Sequence, residues 1–311
     1  MYLLSRGFKL ISVSVGIPAY NEEKNIGFVL DSVLVQRETG SFKIDEILVV
    51  SDGSTDATPS IVKRYCKASS KVRLYHDDVR RGKGHALNVI FKEGSGDVFV
   101  LFDADVIPEN EWVVYGLVEP FLTDESVGLV GGLPVPLPPE SLVEMAGFFS
   151  FRIQKFIKEH MNEGSNLYAA HGRVLALSSR LARKISVPSI PAVDAYLYLK
   201  CISMGYKFVY VSDRAKVLYR APRDVEGYIS QSARFRRARE PLREIFGDLV
   251  DRELKIPVRL LMEAYVKSLI KDPLGGFLWT LLYLYATVTA RRFKPSGKWI
   301  IAEKSKPLYS K

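Results

Sequence analysis

Asp103 and Asp105 stand one residue apart at the end of an unbroken apolar run, Val98-Phe99-Val100-Leu101-Phe102. Two carboxylates held this close repel unless a positive charge lies between them, so the pair is a natural seat for a hard divalent cation. Mg²⁺ or Mn²⁺ bound in this way keeps its remaining positions for water and phosphate oxygens. A solvated acidic turn reads the same in isolation, and the neighbouring residues separate the two. Asp52 closes a second apolar run within Ser51-Asp52-Gly53-Ser54-Thr55-Asp56, a turn dense in side-chain oxygens and backbone donors. Arg80-Arg81-Gly82-Lys83-Gly84 adds cations on a glycine loop, and Tyr20 and Glu22 follow Pro18 at the end of a third run. Acidic residues at strand ends facing a basic glycine loop describe a nucleotide-diphosphate site that uses a metal.

The elements that must position these residues can be read from periodicity. The run at 98–102 is β-branched and aromatic without alternation, as expected of a strand covered on both faces in a parallel sheet. Residues 12–18, 44–50 and 72–75 read as further strands. The intervening segments read as helices: one opening on Glu22 and Glu23, one capped by Thr55 or Asp56 and running through Cys66, and one following Gly84. That alternation predicts a doubly wound, mostly parallel α/β sheet with right-handed crossovers. Ligands of such sheets lie beyond the carboxyl ends of the strands, where Tyr20, Glu22, Asp52, Lys83, Asp103 and Asp105 would meet. The Gly82-Lys83-Gly84 loop lacks the spacing of a phosphate-binding P-loop, and no Gly-x-Gly-x-x-Gly follows the first strand. A dinucleotide-dependent dehydrogenase is therefore not expected.

With 311 residues, 47% hydrophobic and 25% charged, the chain belongs with folded globular proteins and not with disordered ones. A formal charge of +9 points to an anionic partner, which nucleotide phosphates or acidic lipid satisfy as well as nucleic acid does. Cys66 and Cys201 fall in helical segments and read as free core thiols of a reducing compartment. The first nine residues lack the apolar core of a secretory signal, so the catalytic part is expected inside the cell.

Ile17-Pro18-Ala19-Tyr20-Asn21-Glu22, Val50-Ser51-Asp52-Gly53-Ser54-Thr55-Asp56, Gly82-Lys83-Gly84-His85-Ala86-Leu87-Asn88 and Asp103-Ala104-Asp105 resemble, in order and spacing, the signatures of family-2 inverting glycosyltransferases of the GT-A fold. The resemblance implies that Pro18, Tyr20 and Glu22 flank a donor nucleoside and that Asp52 bonds its base or ribose. Lys83 and Arg80 would lie toward base and diphosphate. Asp103 would reach ribose or metal, and Asp105 would be the principal ligand of Mn²⁺ or Mg²⁺.

In the second half, residues 127–132 read as a strand, and the prolines of 134–139 as an extended connector that is neither helix nor central strand. A helix over 141–160 opens on a capping box of Ser141 and Glu144. Ala170-His171-Gly172-Arg173-Val174 resembles the family's glycine-containing strand beside the acceptor pocket, with Gly172 at the matching position. Asp194 matches the family's general base, and Val193 stands where an acidic residue is usual. Gln231, Arg234 and Phe235 share one helical face and resemble the Gln-x-x-Arg-Trp motif of membrane-bound polysaccharide synthases, with Phe235 in place of the tryptophan.

These parts imply an inverting, metal-dependent transfer of a hexosyl group from a UDP- or GDP-sugar to a hydroxyl of a lipid-linked or glycan acceptor. A dolichyl- or polyprenyl-phosphate sugar synthase is the alternative within the class. A sugar-1-phosphate nucleotidyltransferase would need a glycine-rich loop with arginine where Pro18-Ala19-Tyr20-Asn21 stands. A nucleic-acid module would use only the arginines of 234–239, so no nucleic-acid partner is expected. Residues 1–133 are read as the donor half and 134–240 as the acceptor half of one GT-A domain, and 241–311 as a C-terminal helical, membrane-associating region. Residues 274–290 carry no charge but are short for a span, and both flanks are basic. They are expected to lie in a membrane interface on the cytoplasmic face, peripheral or monotopic. Trp279 and the tyrosines would sit at headgroup depth, while Arg259, Lys267, Lys271 and the lysines after 290 would meet anionic lipid.

Overall fold

The computed structural model describes residues 10–237, 239–289 and 307–308. The first half alternates as the periodicity requires: β1 (Ile11–Ala19), α1 (Ile26–Leu34), β2 (Phe42–Asp52), α2 (Thr58–Ala68), β3 (Val72–Asp77), α3 (Lys83–Glu93) and β4 (Val98–Phe102). There follow β5 (Val106–Pro108), α4 (Val113–Thr123), β6 (Val127–Pro136), α5 (Leu142–His160), β7 (Val174–Ser178), α6 (Ser179–Ala182), α7 (Val193–Ser203) and β8 (Lys207–Tyr219). Helices α8 (Val225–Arg237), α9 (Arg239–Phe246), α10 (Asp248–Glu253), α11 (Val258–Lys271) and α12 (Pro273–Thr289) complete the described chain.

The eight strands form one sheet in the order β3-β2-β1-β4-β7-β6-β8-β5. The pairs β2–β3, β1–β2, β1–β4 and β6–β8 are parallel, while β7 runs antiparallel to both β4 and β6. Every residue of β4 is buried, because β1 and β7 flank it and helices cover both faces. One core cluster joins α1, α2 and α4 to the sheet, and a second joins α3, α6 and α7 to the other face. The carboxyl ends of β1, β2 and β4 therefore lie along one edge.

Several local expectations are corrected. Strand β6 continues through Pro134 and Pro136, pairing them with Val217 and Tyr219 of β8. Proline is tolerated there because β7 accompanies β6 only over Leu129, Val130 and Gly131, so the later part of β6 lacks a second neighbour. Helix α1 starts at Ile26, leaving Glu22 and Glu23 in the preceding turn and no acidic residue in its first turn. Helix α2 starts at Thr58; Asp56 lies ahead of the N-cap position and accepts the Thr58 N–H at 2.9 Å. At α5, Ser141 Oγ accepts the Glu144 N–H at 3.2 Å, but the Glu144 carboxylate receives the N–H of Glu140 at 2.7 Å and so reaches one residue further back than a capping box does.

The C-terminal helices are also placed differently. Helix α12 packs on α5 through Gly276, where an added Cβ would lie 2.5 Å from Leu269 Cδ1 and 3.0 Å from Phe149 Cε2. Trp279 points into the same contact, with ring centroids 5.8 Å from Phe149 and 6.1 Å from Tyr265, so it packs, partly buried, against a third core cluster. The opposite face stays exposed at Val258, Met262, Ile270, Leu274, Phe277, Leu281 and Val288. Among the described residues no helix is long and apolar enough to cross a membrane. Arg259 and Lys271 are exposed, and Lys267 pairs with Glu263 at 2.7 Å. Lys294, Lys298, Lys304, Lys306 and Lys311 lie outside the described residues.

Candidate active site

The loops after β1 and β2 are stitched together before they can offer anything to a ligand. Asn21, at φ 50°, receives the Thr55 N–H on Oδ1 at 2.8 Å and donates its own N–H to Ser54 Oγ at 3.1 Å. Glu22 turns inward: it is 6% exposed, accepts from Asn25 Nδ2 at 2.8 Å, and donates its N–H to Thr58 Oγ1 at 2.8 Å. Its carboxylate shapes this turn, which no spacing argument anticipates. Pro18 is buried at the end of β1, level with Val50 of β2.

Asp52 builds the basic loop. Its two carboxylate oxygens accept the N–H groups of Arg81 and Gly82 at 2.8 and 2.6 Å. Gly53, at φ 70°, lies so close to this loop that a Cβ would come within 2.5 Å of Arg80 N, a position only glycine fills without displacing the backbone. Arg80 is thereby laid over Tyr20, its guanidinium carbon 3.8 Å from the ring centroid. Its Nε and Nη2 are buried without a hydrogen-bond partner. Buried guanidinium donors left unsatisfied are costly, and an incoming acceptor oxygen would remove that cost.

Lys83, at the first position of α3, forms an ion pair with Asp103 and donates to Gly172 O at 3.0 Å. Gly172 in turn donates its N–H to Asp194 Oδ2 at 3.0 Å, and a Cβ on Gly172 would stand 3.1 Å from Lys83 Nζ and 3.3 Å from Asp194 Oδ2. The other Asp194 oxygen accepts the Ala195 N–H at 3.0 Å, which fixes the carboxylate at the start of α7. Lys83, Asp103, Gly172 and Asp194, expected on opposite halves, thus meet around one glycine. With Pro18, Val193 and Leu197 among the walls they line a narrow cleft.

Asp105 is half-buried on the far side of Ala104, and its charge reaches Tyr219. Burial is the main reason the Tyr219 phenol is pushed above its ordinary value; the guanidinium of Arg173 opposes this and Asp105 adds to it. Arg173 stacks on the Tyr219 ring at 3.9 Å. Among the described residues no three His, Cys, Asp or Glu side chains are grouped to hold a metal ion. The strand end instead offers the hard oxygen pair of Asp103 and Asp105. This suits Mg²⁺ or Mn²⁺, which takes one or two carboxylates and completes its shell with water and phosphate oxygens. Gln231 lies on α8, and no described hydrogen bond joins it to this group. Arg234 and Phe235 fall on the same helix, but their side chains lie outside the described residues.

Sequence reasoning did not single out Lys158, on α5, which is 4% exposed. Burial pushes its ammonium down to about 8; the charge of Arg173 adds to this and that of Asp194 opposes it. Because the folded value lies below the unfolded one, the folded chain binds fewer protons between about pH 8 and 10.5. The burial cost is therefore fully present below pH 8 and fades as pH rises through that window. Lys158→Met should raise the stability of the fold at pH 7, by an amount on the order of 2–3 kcal/mol. Denaturant unfolding of both proteins at pH 7 and pH 10 checks this, with the difference shrinking at the higher pH.

A mostly parallel sheet thus brings the carboxylates at its strand ends beside the Arg80 loop and the glycine-linked Asp194 at the start of α7. The chain belongs to glycosyl transferase family 2, whose family model matches residues 14–182. It is 30% identical over 154 residues to the dolichyl-phosphate beta-glucosyltransferase of Mus musculus, an alignment covering 46% of this chain and 47% of that protein. The chain spans less than half the length of the first curated relatives that it matches. Among solved structures it resembles a mannosyltransferase from Pyrobaculum calidifontis in complex with GDP-Man and Mn²⁺, with TM-score 0.59 and 21% identity over 93% of this chain and 78% of that one. It also resembles glucosyl-3-phosphoglycerate synthase from Mycobacterium tuberculosis in complex with Mn²⁺, UDP and phosphoglyceric acid, with TM-score 0.54 and 23% identity over 76% of this chain and 79% of that one. These likenesses show the fold.

Proposed function

We propose that the chain is an inverting hexosyltransferase that moves a sugar from a UDP- or GDP-sugar to a hydroxyl of a lipid-linked or glycan acceptor. The observation that carries this reading is the meeting of Lys83, Asp103 and Asp194 on Gly172, which brings a donor strand end and a carboxylate base to one cleft. The acceptor oxygen attacks the anomeric carbon from the face opposite the diphosphate while its proton passes to Asp194. The bond from the anomeric carbon to the diphosphate breaks, and the nucleoside diphosphate leaves with that electron pair. A base within hydrogen-bond reach and stabilisation of the leaving group are sufficient, and no covalent intermediate is needed.

Tyr20 and Pro18 border the nucleoside on this reading, and Arg80 offers its two unsatisfied donors to the diphosphate. Asp52 holds the loop that carries Arg80 and Lys83 and turns any remaining lone pair to base or ribose. Glu22 acts through the turn that it buttresses. Asp105, with Asp103 beside it, would hold Mn²⁺ or Mg²⁺, which supplies charge neutralisation at the departing diphosphate when bound. Gln231, Arg234 and Phe235 are assigned to the acceptor and diphosphate side of α8. The functional division remains residues 1–133 for the donor and 134–240 for the acceptor.

The exposed face of α11 and α12 supports a peripheral membrane contact, with Val258 and Ile270 75% and 76% exposed and Arg259 and Lys271 on the same helix. Incubating the full chain with labelled UDP- and GDP-sugars, Mn²⁺ and anionic vesicles carrying extracted lipids tests both parts. Label should pass into the lipid phase as a product of inverted anomeric configuration, and the protein should float with the vesicles. A product of retained configuration overturns the mechanism, and absence of flotation overturns the membrane contact.

A further inference from the structure

Helices α9 and α10 pack on α7, the helix that carries Asp194. Leu242 and Val250 are buried in the same core cluster as Val193, Ala195 and Leu199, and the Phe246 ring centroid lies 5.6 Å from that of Tyr196. Two tyrosine hydroxyls fix the position of this packing. Tyr198 Oη donates to Glu253 Oε2 at 2.9 Å, and Tyr168 Oη donates to the Leu254 carbonyl at 2.7 Å. Tyr198 is buried and Tyr168 half-buried, and a tyrosine hydroxyl withdrawn from water needs such a partner, so each bond holds its ring to one place.

The two bonds converge on the contact that joins the walls of the cleft. Tyr198 follows Asp194 by four residues, one turn further along α7 and on the same side of it. Tyr168 precedes Gly172 by four residues, in a 3₁₀ turn, Leu167–Ala169, that Asn166 Oδ1 caps by accepting the Ala169 N–H at 3.1 Å. Asp194 and Gly172 are the acceptor and the donor of the 3.0 Å hydrogen bond between those walls. Each side of that bond is therefore tied, four residues away, to one of two consecutive residues at the end of α10. Loss of either tie frees one side to shift against the other. Neither tyrosine lines the cleft, so neither hydroxyl acts on the substrate itself.

We propose that Tyr168 and Tyr198 are positioning residues that, through Leu254 and Glu253, hold Gly172 and Asp194 in the alignment that proton transfer needs. This rests on the reading of Asp194 as the base, and it gives α9 and α10 the role of supporting the cleft. A base must lie within hydrogen-bond reach of the proton it takes, so catalysis is more sensitive to this alignment than donor binding is. The donor side is held separately, by Asp52 on the loop of Arg81 and Gly82.

The test is a double-mutant cycle on the full chain, assayed with labelled UDP- and GDP-sugars, Mn²⁺ and anionic vesicles carrying extracted lipids. Tyr198→Phe and Tyr168→Phe remove only the hydroxyls. Each should lower the turnover number by roughly tenfold or more, toward the hundredfold that a misplacement of about 1 Å costs. The KM for nucleotide sugar should stay within about twofold, as expected of an interaction used only in the transition state. In the Asp194→Asn background the same changes should slow transfer by less than about twofold further, because contacts that act through one side chain do not add. Glu253→Gln, whose amide oxygen still accepts the Tyr198 hydroxyl, should keep most of the rate, whereas Glu253→Ala should match Tyr198→Phe. Wild-type turnover in both tyrosine variants, or their full additional loss on top of Asp194→Asn, overturns the inference and leaves Asp194 as the base. Wild-type turnover in Asp194→Asn overturns the reading on which the inference rests. Amide hydrogen exchange at Gly172 gives a readout that needs no transfer: it should quicken in both tyrosine variants, and unchanged exchange overturns the inference.

Discussion

Asp194→Asn is expected to lower the turnover number by roughly 10²-fold or more, the scale of general-base catalysis, with nucleotide affinity unchanged. The amide keeps the size of the side chain, and its one oxygen can accept either the Gly172 or the Ala195 N–H, both of which the carboxylate now accepts at 3.0 Å, so one of the two bonds that hold the side chain is kept. On the proposed mechanism it loses the ability to take the acceptor proton. Steady-state kinetics with the nucleotide sugar as varied substrate separate the two quantities. A weakened nucleotide affinity with normal turnover would assign Asp194 to the donor. A variant that transfers at the wild-type rate would favour a phosphate oxygen as the attacking group, because that oxygen is already ionised and needs little base catalysis.

Asp105→Asn is expected to abolish turnover and leave the fold intact. Asp103 is already balanced by Lys83, so a cation at this strand end depends on the charge of Asp105. On the proposed mechanism, removing that charge would leave no seat for the ion that would neutralise the departing diphosphate. Circular dichroism should match wild type, while activity falls below detection and added Mn²⁺ fails to restore it. Full activity of the wild-type protein in EDTA contradicts the role of the metal.

The strand-end edge was legible because apolar runs that stop abruptly on polar residues leave few choices of fold. β4 is buried along its length, and Asp52, Lys83 and Asp103 reach one edge as the alternation of strand and helix requires. The meeting of Gly172 and Asp194 with that edge came from the resemblance, since no periodicity links residues so far apart in the chain. Other features were hidden for physical reasons. Pro134 and Pro136 mark a broken strand only if both sides of it are paired, and pairing is a tertiary fact. Glu22 carries the charge of a surface residue, yet Asn25 Nδ2 donates to its carboxylate inside a turn that Thr58 Oγ1 holds by accepting the Glu22 N–H. Trp279 and the uncharged stretch around it read as an interfacial segment, but Gly276 lets one face of that helix sink onto Phe149. Lys158 sits among Lys155, Glu159 and His160 and has the pattern of a solvated helix end. Only the turn held by Asn166 reveals that it faces inward.

Thermal denaturation of the full chain with UDP- and GDP-sugars, with and without Mn²⁺, tests the central claim most directly, because a ligand bound to the native state alone raises the melting temperature with its concentration. The melting temperature should climb with one nucleotide's sugars only when Mn²⁺ is present, and Asp105→Asn should abolish the climb. No rise with any nucleotide sugar, or a rise indifferent to Mn²⁺ and retained in Asp105→Asn, would contradict the account.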